Sequence, residues 1–139
     1  MKHFYVIVML TVLTFALDSC KSKKTPAEEA AKRTMVEVGV DEFEKMIADT
    51  SEVTLLDVRS EREYQEGHLK GAILIDMKEH TFHTESASSL PYHKEVAVYC
   101  RTGFRSKTAG KILMEEGFDV IHLKGGYRAW TDAGKPVEK

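Results

Sequence analysis

Cys100 opens the run Cys100-Arg101-Thr102-Gly103-Phe104-Arg105-Ser106, and an apolar stretch, Val96-Ala97-Val98-Tyr99, leads into it. A strand that turns through a glycine into a helix makes an anion cradle. Backbone N–H groups of the turn and of the first helical turn can converge on one atom, and the helix dipole adds about half a positive charge there. Arg101 and Arg105 bring two guanidinium groups to the same place. A thiol seated in such a field is held as thiolate, the form that attacks. The competing reading is a cysteine packed under a helix as a small apolar residue. Arginine, threonine and glycine directly after the strand argue against a core position. Gly103 is expected either at φ > 0 or where backbone must approach a bound anion.

The flanking sequence alternates strand and helix from Met35 onward. Phe43, Met46 and Ile47 share a helical face, with Asp41 placed as its cap. Val53–Val58 is a nearly continuous apolar run, as in a strand covered on both faces. Ser60-Glu61-Arg62-Glu63 is a capping box, predicting a helix to about Glu66 that stops at Gly67. Ala72–Ile75, Val96–Tyr99 and Phe118–Leu123 read as three further strands, for a total of four. Phe104–Glu116 reads as a helix with Ala109, Ile112 and Leu113 on one face, closed by Gly117, and Gly125-Gly126 opens a last short helix. Residues 77–93 show no clear period and read as a long surface loop with at most a helical turn. This order predicts an α/β domain with a mostly parallel central sheet and helices on both faces. Ligands in such sheets sit at the carboxyl ends of strands, where Cys100 falls.

The chain has 139 residues, 42% hydrophobic and 30% charged, enough for one compact domain. Twenty Lys+Arg against 22 Asp+Glu give a net charge of -2, with no basic surplus to suggest nucleic acid. The apolar run from Phe4 to Leu17 follows a short polar start and falls short of the roughly 20 residues of a spanning helix, so residues 1–19 read as a secretory signal. Its end, Leu17-Asp18-Ser19-Cys20, resembles the lipobox of bacterial lipoproteins, in which cleavage precedes an acylated cysteine; Asp18 departs from that pattern. Residues 20–34 then read as a polar tether, residues 35–139 as the domain, and the protein as exported and anchored by lipid at the membrane, facing the periplasm. With Cys20 lipidated, Cys100 is the remaining thiol and has no disulfide partner within the chain.

The segment Cys-Arg-Thr-Gly-Phe-Arg-Ser resembles the active-site loop of the rhodanese-like sulfurtransferases. Leu55–Arg59 with Glu63-Tyr64 and Gly67–Ala72 is similar to that family's first signature. Gly117–Val120 and Leu123–Trp130 are similar to its closing one. The likeness runs over residues 36–137. It implies a single rhodanese-like domain in which Cys100 takes the outer sulfur of a small anionic donor such as thiosulfate and becomes a persulfide. A thiol or cyanide then removes that sulfur, with no metal or organic cofactor. It further implies that Arg101, Thr102, Gly103, Phe104, Arg105 and Ser106 form the substrate-binding loop.

Around this core the residues carry alternatives. Asp57 and Arg59 are either a charged pair that shapes the site or, preferably, a structural pair that survives burial because it is paired. His68 reads as a turn histidine rather than a general base. Gly125 and Gly126 are expected beside the site in a role like that of Gly103, while Tyr127 and Trp130 read as core. His80, His83 and His93, with Glu79 and Glu85, lack the ligand spacing of a metal site. A cysteine phosphatase would place its arginine one residue later, at Ser106. A persulfide carrier or binding module serving a partner protein is the non-enzymatic alternative.

Overall fold

The computed structural model describes residues 32–139. The signal segment 1–19, the lipidation position Cys20 and the tether as far as residue 31 therefore lie outside the described residues. The chain runs β1 (Met35–Val38), α1 (Val40–Ile47), β2 (Val53–Asp57), α2 (Glu61–Glu66), β3 (Ile73–Leu74), α3 (Phe82–Ser89), β4 (Glu95–Tyr99), α4 (Phe104–Glu115), β5 (Val120–Leu123) and α5 (Gly126–Asp132). The five strands form one parallel sheet in the order β1-β5-β4-β2-β3. From β2 the chain moves outward to β3, and from β4 it moves the opposite way to β5. The carboxyl ends of β2 and β4 thus flank the point where the winding reverses, which is where open α/β sheets bind ligands.

The core is divided by the two-residue period of the strands. Leu56, Val58, Val96, Val98 and Val120 pack with Phe82 of α3 and with Ala109 and Leu113 of α4. Val53, Leu55, Ala97, Tyr99, Ile121 and Leu123 pack on the other side with Phe43 of α1 and Trp130 of α5. Helices on both faces explain why the central strands are apolar at successive positions rather than alternating. The capping box at Ser60 is present, with Ser60 Oγ accepting from the Glu63 N–H and Glu63 Oε2 accepting from the Ser60 N–H.

Three expectations change. The sheet has five strands, not four: β1 escaped notice because Met-Val-Glu-Val is short and mostly exposed, and its place is set by pairing with β5 85 residues away. Helix α1 is capped by Gly39, not Asp41. Asp41 lies in the first turn, where its charge suits the dipole and it pairs with Lys135 at 3.0 Å. The segment 77–93 contains the helix α3, docked through Phe82 (3% exposed), Ser86 (0%) and Leu90 (3%). Those three sit four apart, but only two are apolar, so the period was masked. Ser86 is tolerated inside because its hydroxyl donates to Glu116 Oε2 and the Phe82 carbonyl. Phe82→Ala should therefore cost about 3–5 kcal/mol in urea unfolding. A cost below about 1 kcal/mol would mean that the segment is a surface loop after all.

Candidate active site

The turn from β4 into α4 is shaped by one residue. Gly103 adopts φ 95°, a left-handed conformation that other residues rarely accept, and caps α4 with no side-chain acceptor. Its N–H turns back onto Cys100 Sγ at 3.2 Å, and the Ser106 hydroxyl reaches the same sulfur at 3.4 Å. The first-turn N–H groups of α4 have no side-chain cap, which leaves the positive end of the helix open toward the loop. Cys100 is only 1% exposed and touches the apolar core on its other side. The thiol is thus buried, as the competing reading supposed, but its sulfur lies against hydrogen-bond donors at a helix N-terminus. Burial in carbon alone would not supply them.

The loop is held from below by α5. The Tyr127 N–H donates to the Cys100 carbonyl at 2.7 Å, and the Arg128 N–H to the Arg101 carbonyl at 3.0 Å. With those carbonyls engaged, the peptide planes are fixed. Gly126 permits the approach, since a Cβ there would lie 2.3 Å from the Cys100 carbonyl oxygen. Gly125 also has positive φ, and its amide nitrogen lies 3.3 Å from where a Gly103 Cβ would stand. Both glycines therefore sit beneath the loop.

The two loop arginines have different surroundings. Arg105 makes a two-pronged ion pair with Glu63 of the capping box, both bonds 2.7 Å long. Arg105, opposed by the cost of burial, holds the Glu63 carboxyl down at about 2. Its guanidinium is therefore engaged on a carboxylate, and the loop is tied to α2. Arg101 is exposed, and among the described residues its side chain makes no ion pair. It borders a depression of about 240 Å³ lined by Arg59, Glu63, Glu66, Gly67 and Tyr127. Thr102 and Phe104 are also exposed on the loop surface, Phe104 at 82%.

Asp57 and Arg59 are 0% and 3% exposed and pair at 2.7 Å. Arg59 also donates to the Gly67 carbonyl at 2.7 Å and lies over the Tyr127 ring at 4.2 Å. The pair thus ties the end of β2 to the end of α2 and to α5. His68 stacks on Tyr64 at 3.7 Å, with Nδ1 3.0 Å from the Tyr64 carbonyl at the end of α2. Trp130 is core, its Nε1 donating to the Pro136 carbonyl. Glu116 is shared between His83 and Ser86 and joins α3 to α4.

Two polar residues at the site went unnoticed in the sequence. His122 lies in β5 on the face that packs against α4, 2% exposed, with Nε2 2.9 Å from Ser106 Oγ and 3.1 Å from the Gly103 carbonyl. Its Nδ1 lies 2.9 Å from Glu37 Oε2 on β1, its register partner. A histidine inside an apolar strand was the available signal. Its partner at Glu37 became visible only with the strand order.

A model of the rhodanese-like domain matches residues 39–133. The chain is 33% identical over 102 residues to a sulfurtransferase of Allochromatium vinosum, covering 73% of this chain and 92% of that one. It is 38% identical over 101 residues to the tRNA uridine(34) hydroxylase of Cytophaga hutchinsonii, 70% of this chain but only 32% of that longer protein. Among solved structures, a rhodanese-related protein of Thermoplasma volcanium superposes with TM-score 0.60 at 26% identity, covering 77% of this chain and 98% of that one. The fold with its strand-to-helix loop, and these matches together, define the class: the chain belongs to the rhodanese-like domain family. Within that family it is similar, over most of their length, to proteins named as a sulfurtransferase and a putative sulfurtransferase, the second from Bacillus subtilis at 38% identity over 93 residues, 67% of this chain and 86% of that one.

The ion pair beneath the loop has a pH signature. A carboxyl whose folded value is depressed contributes stability that is fully present above its ordinary value of 4.5 and is lost as pH falls toward about 2. The stability gap between the wild type and Glu63→Gln should hold constant above about pH 5.5 and shrink as the pH is lowered to about 3, measured by urea unfolding across that range. A gap that widens in acid would contradict the assignment.

Proposed function

We propose that the domain is a sulfurtransferase that works through a persulfide on Cys100. The observation that carries this reading is the sulfur of Cys100 at the floor of its loop, receiving the Gly103 N–H and the Ser106 hydroxyl at an open helix N-terminus. In the first half-reaction the Cys100 thiolate attacks the outer sulfur of a donor such as thiosulfate. The new S–S bond forms as the donor's own S–S bond breaks, and sulfite leaves with the electron pair. In the second, a thiolate or cyanide attacks the terminal persulfide sulfur, and Cys100 departs as thiolate. Charge is conserved in both steps, and nothing is oxidised or reduced by an outside agent. Splitting the transfer in two is covalent catalysis, and ping-pong kinetics follow. Backbone N–H groups around the loop stabilise the charge on the transferred sulfur. Arg101, exposed at the rim, draws the anionic donor inward.

The pairing of Arg105 with Glu63 favours this reading over a phosphatase. A phosphatase needs a free guanidinium to hold phosphate oxygens in a bidentate fork, and here that fork is closed on a carboxylate. Treatment with thiosulfate should add one sulfur atom to Cys100 in the intact protein, seen by mass spectrometry. Thiocyanate should then form from thiosulfate and cyanide, and Cys100→Ser should abolish both signals without altering the fold. Persulfide formation without turnover to cyanide or to any thiol would instead make the domain a carrier. A variant that keeps the wild-type rate would overturn the mechanism.

The same reading carries the domain on a lipid anchor at the membrane surface. It rests on the apolar run Phe4–Leu17 and the Leu-x-x-Cys ending at Cys20, and an apolar stretch of that length needs lipid to anchor firmly. In a bacterial host, the full-length chain is expected in the detergent phase of a Triton partition, with Cys20→Ser moving it to the aqueous phase. Aqueous partition of the wild type would exclude the anchor.

A further inference from the structure

We propose that Glu37, His122 and Ser106 form a charged relay under Cys100, in which a doubly protonated His122 orients the Ser106 hydroxyl onto the sulfur and balances its negative charge. This rests on the sulfurtransferase reading and deepens it, because it assigns positioning residues to the same thiol.

Nδ1 of His122 faces Glu37 Oε2 at 2.9 Å. Glu37 is a carboxylate, held below the usual range by its bonds to Lys107 and His122, and it can only accept. So Nδ1 carries a hydrogen. Nε2 faces the Gly103 carbonyl at 3.1 Å, another group that can only accept, and Ser106 Oγ at 2.9 Å. A bare Nε2 would set two lone pairs against each other in a buried place. It would also be the strongest acceptor within reach of the one Ser106 proton and would draw it away from the sulfur. With a hydrogen on Nε2, Nε2–H lies between the Gly103 carbonyl and Ser106 Oγ, and the Ser106 O–H is free of the ring and shared between Cys100 Sγ at 3.4 Å and the Gly103 carbonyl at 3.2 Å. No buried side-chain polar atom among the described residues is left without a partner.

The charges around the ring agree. Glu37 faces it from β1, and Lys107 of α4 reaches Glu37 at 3.4 Å. Cys100 lies beyond Ser106, and the β4 neighbour Val98 is apolar. A Glu⁻–HisH⁺–Ser–S⁻ chain carries a net charge of −1, and Lys107 beside Glu37 brings it to zero. It would act on both half-reactions: it keeps the free thiol ionised for attack, and it stabilises the thiolate when that sulfur departs from the persulfide.

The test reads the thiol itself and so does not depend on any sulfur donor. The rate of Cys100 alkylation by iodoacetamide is followed from about pH 5 to 10 in the wild type, His122→Asn and Glu37→Gln, with Cys20 changed to Ser throughout. Both relay variants are expected to react about tenfold more slowly than wild type near pH 6 and to converge with it near pH 10, a shift of about one pH unit. Glu37→Gln gives the sharper result, because the two explanations differ in sign. Removing a negative charge from the surroundings favours the thiolate and would speed alkylation, whereas breaking the relay slows it. Glu37 has a 39% exposed side chain, so its replacement leaves the core intact. If Glu37→Gln reacts at or above the wild-type rate, or if His122→Asn leaves the profile unmoved, the relay is wrong. Failure of the wild type to accept sulfur from any donor would instead overturn the proposed activity, while this profile would still report on the relay.

Discussion

The site depends on a single close approach of two backbones. The N–H groups that begin α5 engage the carbonyls of Cys100 and Arg101, at 2.7 and 3.0 Å, and this fixes which way the peptide planes of the loop face. With those carbonyls directed at α5, Gly103 can turn its N–H onto the sulfur. The contact is possible because position 126 has no side chain; any Cβ would enter the space of the Cys100 carbonyl oxygen. A glycine-glycine pair more than twenty positions beyond the cysteine thus decides the hydrogen bonding of the thiol. The parallel sheet contributes by setting the ends of β4 and β5 side by side.

Charge around the loop is arranged so that, among the described residues, Arg101 makes no ion pair while Arg59 and Arg105 are neutralised locally. Arg59 is matched to Asp57, and Arg105 to Glu63, each in a fork of two bonds or more. These pairs act as braces, joining β2 to α2 and α2 to α4, and burial is tolerable because each charge is met by an opposite one. Arg101 stands outside this scheme at the rim. Two guanidinium groups converging on the sulfur was the simplest expectation from the spacing. The observed arrangement keeps the long-range attraction of one arginine and uses the other to make the loop rigid.

Much of the architecture was readable because it rests on short-range rules. The capping box at Ser60, the glycine stops at Gly67 and Gly117, and the apolar face of α4 are local patterns, and they stand where they were expected. The elements that escaped notice lacked a local signature. β1 has no continuous apolar run, and α3 buries a serine at the centre of its inward face. Their positions follow from what they touch across long separations in the chain, Val120–Leu123 in one case and Glu116 in the other.

The amino-acid sequence by itself determined the strand before Cys100, the helix after it and the placement of that thiol between the strand and the helix N-terminus. Those features follow from residue spacing, glycine punctuation and the period of apolar side chains, all of which act within a few positions. Only the tertiary structure decided that Arg105 belongs to Glu63, that α5 holds the loop, and that His122 meets Glu37 beneath Ser106. Each of those joins residues from separate elements. The energy of a charged or polar contact depends on distance and burial, and these exist only once the sheet has brought the elements together.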